Sequence, residues 1–245
     1  MYVCLYLNLG LVSESLNKMF ERLTAEPYLS KYSVEILSSP KTGDPWVITM
    51  ENVVSEVEAA RLIELGGDEG YERSSDVGAM RPDGTFEQSF NDGRTSTNAW
   101  CTDDCWADPV GRAVAYRLSN LTDIPDDHSE NLQLLRYEVG QFYQIHHDYI
   151  PMQYTRQQGV RMLTAYLYLS DVEAGGGTNF DQLNITVMPK RGRVLLWPSV
   201  LDEDPNEKDL RTSHQALPVE AGVKFGANSW FHMRDFKTPN DIGCA

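Results

Sequence analysis

RMLTAYLYL, residues 161–169, and KFGANSWFHM, residues 224–233, are short runs of aromatic and aliphatic residues with no helical period. β-prone runs of this length, bounded by turn residues, read as strands. Similar runs lie at 132–139, 185–188, 193–197 and 216–219, and turn signals separate them at 171–177, 190–192, 202–208 and 221–222. Such spacing, with few helical intervals, predicts an antiparallel sandwich or barrel rather than a parallel βαβ sheet.

Upstream the pattern changes. An amphipathic helix fits residues 13–23. Ser55 followed by Glu58 is a capping-box signal, and Val57, Ala60, Leu62, Ile63 and Leu65 then recur at near-helical spacing until Gly66-Gly67, where the helix is expected to stop. Asp108-Pro109 caps a second helix with Val110, Ala113, Val114, Leu118 and Leu121 on one face. Residues 70–93 carry Gly, Asp, Ser and Glu without a period and read as a long surface loop. The 245 residues are expected to form one domain: 1–127 as helical support and substrate loop, 128–236 as the β core, 237–245 as a tail.

The 21 Lys and Arg against 36 Asp and Glu give a net charge of −15, which disfavours attraction to nucleic acid or anionic lipid, so no nucleic-acid partner is expected. No stretch approaches the roughly 20 apolar residues of a membrane span. The opening MYVCLYLNLGLV is apolar but lacks a basic stretch before it and a small-residue cleavage site after it, a poor fit to a signal sequence. Of four cysteines only Cys101 and Cys105 are close; a disulfide or simple burial suits them better than zinc, since Cys4 and Cys244 supply no second pair. The sequons Asn120-Leu-Thr122 and Asn184-Ile-Thr186 permit a secretory origin without requiring it.

The five histidines are His128, His146, His147, His214 and His232. On an extended strand His146 and Asp148 point to one face while His147 points away. Alone, His-x-Asp arises often by chance, and a surface His–Asp contact explains it. His214, just before the run 216–219, could bring a third ligand across a sheet. Two histidines and a carboxylate form the facial triad of non-haem Fe(II) oxygenases, and the same set could hold Zn(II) for hydrolysis. Lys224 bears on the choice. A lysine ending inside a pocket calls for an anion such as a co-substrate carboxylate, whereas spacing alone favours a surface lysine.

Three strings carry a specific likeness: RYEVGQFYQIHHDY at 136–149, RMLTAYLYLSDVEAGGGTNF at 161–180 and SHQALPVEAGVKFGANSWFH at 213–232. With Arg94-Thr95-Ser96 they make residues 48–236 resemble the prolyl 4-hydroxylase branch of the 2-oxoglutarate and Fe(II)-dependent dioxygenases. The resemblance implies a mainly β (α+β) fold, a double-stranded β-helix or jelly-roll with supporting N-terminal helices. It implies Fe(II) held by His146, Asp148 and His214, and 2-oxoglutarate anchored by Lys224 with Tyr137 and Thr178 beside it. It implies O2 as oxidant, ascorbate as a helper and a proline-containing peptide or protein as substrate, hydroxylated at proline C4. The peptide groove would use Arg94, Ser96, Glu130, Tyr143, Arg161, Trp230 and His232, with the 70–93 loop closing over it. Relatives in this branch commonly act in the secretory pathway, in the endoplasmic reticulum or Golgi, so that compartment is expected.

The chain departs from the family pattern at Gly177, where an acid is usual, and at Asp181, where proline is common; both flank Thr178 in sequence. Two rivals stand beside this reading: a related hydroxylase with another substrate, and a β-sandwich peptide-binding module without turnover. A serine hydrolase is remote, since no Gly-x-Ser-x-Gly string occurs.

Overall fold

The structure, a computed structural model, describes residues 13–81 and 86–241. The opening apolar stretch, Cys4 and Cys244 lie outside the described residues. The strands are β1 (Glu35–Ser38), β2 (Val47–Met50), β3 (Glu72–Arg73), β4 (Asp76–Met80), β5 (Phe86–Ser89), β6 (Thr97–Trp100), β7 (Gln133–Tyr137), β8 (Tyr143–His146), β9 (Arg161–Tyr168), β10 (Ala174–Gly175), β11 (Thr178–Phe180), β12 (Ile185–Val187), β13 (Val194–Pro198), β14 (His214–Ala216), β15 (Val219–Ala221) and β16 (Lys224–His232). The helices are α1 (Ser13–Leu23), α2 (Tyr28–Lys31), α3 (Glu56–Glu69), α4 (Asp103–Ala107), α5 (Pro109–Thr122) and α6 (Lys237–Asp241).

Two antiparallel sheets form the jelly-roll. The larger runs β1-β2-β13-β9-β16-β7-β6-β3 and the smaller β12-β11-β14-β8. The inner strands β2, β9 and β13 are buried on both faces, so their sequences look nearly continuously apolar, yet alternate residues serve different cores. Leu134, Leu167, Val194, Leu196 and Ala227 pack with Phe20, Leu62 and Leu118 of the helices. Leu135, Tyr137, Tyr166, Tyr168, Leu195 and Trp197 point the other way and meet Phe180 and Val187 of the smaller sheet. The functional cavity lies on that second side.

Several sequence expectations are corrected by geometry. Helix α3 runs through Gly66-Gly67 to Glu69 and ends at Gly70, which takes φ +89°; Gly66 is buried, and the ring of Tyr71 packs against it. Val57 is 77% exposed, and the buried face is instead Ala59, Leu62 and Leu65. Ala113 of α5 is also exposed, with Ala115 buried in its place. Residues 70–93 are not a structureless loop. They contain β3, which joins the edge of the larger sheet through β6, and the β4–β5 hairpin. These strands are short and largely solvent-facing, so they need no hydrophobic alternation and show none. The run 216–219 splits into β14 and β15, and Pro218 between them has no N–H to give a ladder.

Cys101 and Cys105 form a disulfide at the start of α4. Among the described residues no helix is long and apolar enough to cross a membrane. The predicted capping box is present: Ser55 N donates to Glu58 Oε2 at 2.8 Å, and Ser55 Oγ accepts from Glu58 N. Glu58 also receives Arg117 of α5 at 2.5 Å, joining the two long helices behind the sheet.

The hydrogen bond from Arg117, together with those from Ser55, holds the Glu58 carboxyl at about 2 against an ordinary 4.5. A depressed carboxylate stabilises the fold above its unfolded pKa and loses that contribution as pH falls through its folded one. Glu58→Gln is therefore expected to cost roughly 1 kcal/mol at neutral pH, the pair being partly exposed. In denaturant titrations the gap to wild type should be full above pH 4.5 and close as pH falls toward 2.

Candidate active site

β14 pairs with β8 so that His214 and His146 are direct partners across the ladder. His214 is thus the first residue of its strand rather than a residue preceding one. Asp148 lies in the bend after β8, so its convergence with His146 comes from that bend and not from strand alternation. Among the described residues these three form one metal-ligating cluster, with one donor atom from each lying within 4.8 Å of the others. His214 Nε2 stands 3.8 Å from Asp148 Oδ2, and the imidazoles meet edge to face with centroids 4.3 Å apart.

The surrounding groups fix the ligands' orientation and charge. His146 Nδ1 lies 2.9 Å from Gln144 O and His214 Nδ1 3.0 Å from Thr212 O. A carbonyl only accepts, so each Nδ1 carries the proton and each Nε2 lone pair is free for a metal. Thr164 Oγ1 donates to Asp148 Oδ2 at 2.6 Å. Burial, and next the neighbouring His214, push His146 well below its ordinary pKa, favouring the neutral ligating form. Burial alone would raise Asp148, but the two imidazoles and the Thr164 bond outweigh it and hold the carboxyl at about 2. His214 also packs against Trp197 and Phe180, with centroids 4.8 and 5.6 Å away. His147 faces away: its Nε2 meets Asp209 O and its Nδ1 accepts from Tyr149 N, a structural role.

The cluster opens into a cavity of about 660 Å³ whose lining also includes Lys224, Tyr137 and Thr178. Lys224 is 1% exposed, which overturns the surface-lysine reading. Its Nζ has no hydrogen-bond partner, and the rings of Tyr137, Tyr166 and Tyr168 stand 5.1, 5.2 and 5.7 Å from it. Burial lowers its pKa to about 7. Cation–π contact offsets part of the cost of burying an ammonium, but the three N–H donors still lack an acceptor. Thr178 is brought alongside by the Gly175–Gly176 turn, both residues at positive φ, where a side chain on Gly175 would strike Pro218 O. The Tyr168 hydroxyl, which the sequence did not single out, donates to Thr178 Oγ1 at 2.7 Å.

The groove residues divide into two sets. Arg94, Tyr143, Arg161 and Trp230 line the cavity. Tyr143 stacks on His146 at 3.6 Å, donates to Asp76 Oδ1 at 2.6 Å and lies under Arg94. The Arg161 guanidinium lies 3.6 Å over the Trp230 ring, whose Nε1 is buried without a partner. Glu130, His232 and Ser96 do not line it. Glu130 binds Arg161 through two hydrogen bonds and meets His232 Nε2 at 2.9 Å, and His232 is fully buried. Ser96 contacts Ser74 and the Tyr137 phenol. These three brace cavity residues from behind.

An imidazole–imidazole–carboxylate set with three adjacent positions left free fits Fe(II). A buried ammonium with unused donors in the same cavity fits a carboxylate-bearing co-substrate, which zinc hydrolysis does not require. Fold and site together define a jelly-roll with a candidate mononuclear metal centre. In agreement, residues 132–232 match the family described as the 2OG-Fe(II) oxygenase superfamily. Prolyl 4-hydroxylase subunit alpha-1 of Rattus norvegicus is 31% identical over 215 residues, covering 83% of this chain and 39% of that protein. Subunit alpha-2 of Gallus gallus is 36% identical over 144 residues, 58% of this chain and 26% of that protein, so the chain spans well under half the length of either. The viral collagen prolyl hydroxylase of Paramecium bursaria Chlorella virus-1, in its 2OG complex, shares the fold with a TM-score of 0.60 at 22% identity, covering 79% of this chain and 98% of that one. The chain is similar to prolyl 4-hydroxylases over most of its length, and residues 132–232 carry the oxygenase match.

Second-sphere groups that orient ligands typically set metal affinity by ten- to a hundred-fold. Thr164→Val, which keeps the side-chain shape but removes the donor to Asp148, is expected to weaken Fe(II) binding within that range. His214→Ala is expected to abolish stoichiometric binding. Anaerobic equilibrium dialysis with metal analysis measures both.

Proposed function

We propose that this chain hydroxylates peptidyl proline at C4, converting O2 and 2-oxoglutarate to succinate and carbon dioxide. The observation that carries the proposal is the partnerless ammonium of Lys224, buried in the same cavity as the His146, Asp148 and His214 cluster. In this reading those three residues hold Fe(II), which with 2-oxoglutarate supplies the activation of dioxygen. Lys224 receives the distal carboxylate. A lysine is a point charge, so directional donors must complete the grip. Thr178 Oγ1 already accepts from Tyr168 and has its own proton to give, and the Tyr137 phenol lines the same cavity.

The peptide would lie across Arg94, Tyr143, Arg161 and Trp230. Guanidinium and indole N–H groups match the unpaired carbonyls of an extended proline segment, and the aromatic faces match pyrrolidine rings. The β4–β5 hairpin closes one side of this groove, and its Asp76 joins Tyr143 to Arg94. Ascorbate is the expected reductant for idle cycles. The net charge of −15 supports a protein rather than a nucleic-acid partner. We assign the chain to the secretory pathway, in the endoplasmic reticulum or Golgi. The Cys101–Cys105 disulfide and the exposed sequon at Asn184 support that compartment.

Incubation with Fe(II), 2-oxoglutarate, ascorbate and a proline-rich peptide is expected to add one oxygen atom to the peptide and release an equivalent of succinate. Bound iron with neither product, across a panel of proline peptides, would refute the proposal. The pH dependence is a second check. Above about 7 the free Lys224 is neutral and must take up a proton to meet a carboxylate, while the tyrosines around it, all raised by burial, stay protonated. Affinity for 2-oxoglutarate should therefore weaken by up to about ten-fold per pH unit above that point. Lys224→Ala should be weak and flat, as read by titration calorimetry.

A further inference from the structure

The deep end of the cavity contains a second buried polar atom that no neighbour satisfies, the hydroxyl of Tyr166. Tyr166 stands on β9 opposite Asn228 of β16, with its ring on the same side as Tyr168 and 4.9 Å from it. Its hydroxyl lies over Gly226: a Cβ built on Gly226 would fall 2.2 Å from that oxygen and 2.6 Å from Cζ. Gly226 is two residues after Lys224 on one strand, so the space it leaves opens on the face from which the lysine rises. The absence of a side chain at 226 is what lets a phenol reach this depth, beside an ammonium that also lacks a partner.

We infer that the Tyr166 hydroxyl is a positioning donor to the distal carboxylate of 2-oxoglutarate, acting with Lys224. The inference rests on the co-substrate assignment above. Its physical basis is the pairing of two orphans. A buried hydroxyl without a partner costs free energy, and so does a buried ammonium. One carboxylate between them accepts from both. Thr178 then addresses the same group from the smaller sheet, so the carboxylate is held from β16, β9 and β11. No other sequence feature marks Tyr166; it reads as one more aromatic in an apolar strand.

The test compares 2-oxoglutarate with 2-oxopentanoate, which keeps the keto acid but lacks the distal carboxylate, binding to Mn(II)-loaded full chain by titration calorimetry. A hydrogen bond to a charged group predicts that Tyr166→Phe weakens 2-oxoglutarate by roughly ten- to a hundred-fold while leaving 2-oxopentanoate unchanged. The variant's melting temperature should be unchanged or raised, because it deletes a polar atom that had no partner. Tyr166→Leu, which removes the ring as well, should show the same ligand selectivity in its loss. Unchanged 2-oxoglutarate affinity in the phenylalanine variant, or an equal loss for both ligands in both variants, overturns the inference while leaving the proposed function intact. A wild-type protein that binds neither keto acid sinks the proposed function and this inference with it.

Discussion

His214 sits across the ladder from His146, and that one register determines the chemistry available to the chain. Two imidazoles 68 residues apart become neighbours because β8 and β14 pair antiparallel at their ends. Each ring is then turned by the same device, a hydrogen bond from Nδ1 to the carbonyl two residues earlier in its own chain. The bend that follows β8 needs only to carry Asp148 inward, where Thr164 fixes one oxygen. A register slip of one residue would send His214 to the opposite face and leave Asp148 beside a single histidine.

Charge in the cavity is arranged asymmetrically. At the metal end one carboxylate faces two imidazoles; at the far end one ammonium faces aromatic rings and hydroxyls. Neither end is balanced within the protein itself. The imbalance at the metal end has the sign that attracts a cation, and that at the lysine end has the sign that attracts an anion. The apolar core between the sheets, with Trp197, Phe180 and Val187, keeps water from screening either.

Much of this was legible in the sequence. The runs 161–169 and 224–233 emerge as β9 and β16, the central pair of the larger sheet. The capping box at Ser55 and the Asp108-Pro109 start are local hydrogen-bond chemistry, and both appear where the sequence put them. What failed was non-local. The β4–β5 hairpin carries little apolar pattern because little of it is buried. The helix face at Val57 was misread because amphipathicity says which residues could face inward, not which neighbour is there to receive them. Lys224 looked like a surface residue on spacing, since only the tertiary fold decides whether a cation is covered. Glu130, His232 and Ser96 belong to the same region as the groove but support it from behind, a distinction of depth that no linear motif records.

The phenol of Tyr143 touches both ends of the site's business. Its face lies on the His146 ring, while its hydroxyl is tied to Asp76 on the β4–β5 hairpin. The ring that backs His146 is therefore held in place from the hairpin. By thermodynamic reciprocity, any coupling carried through this ring acts equally in both directions. One aromatic plate thus backs a member of the His–Asp–His cluster and ties down the hairpin that walls the cavity.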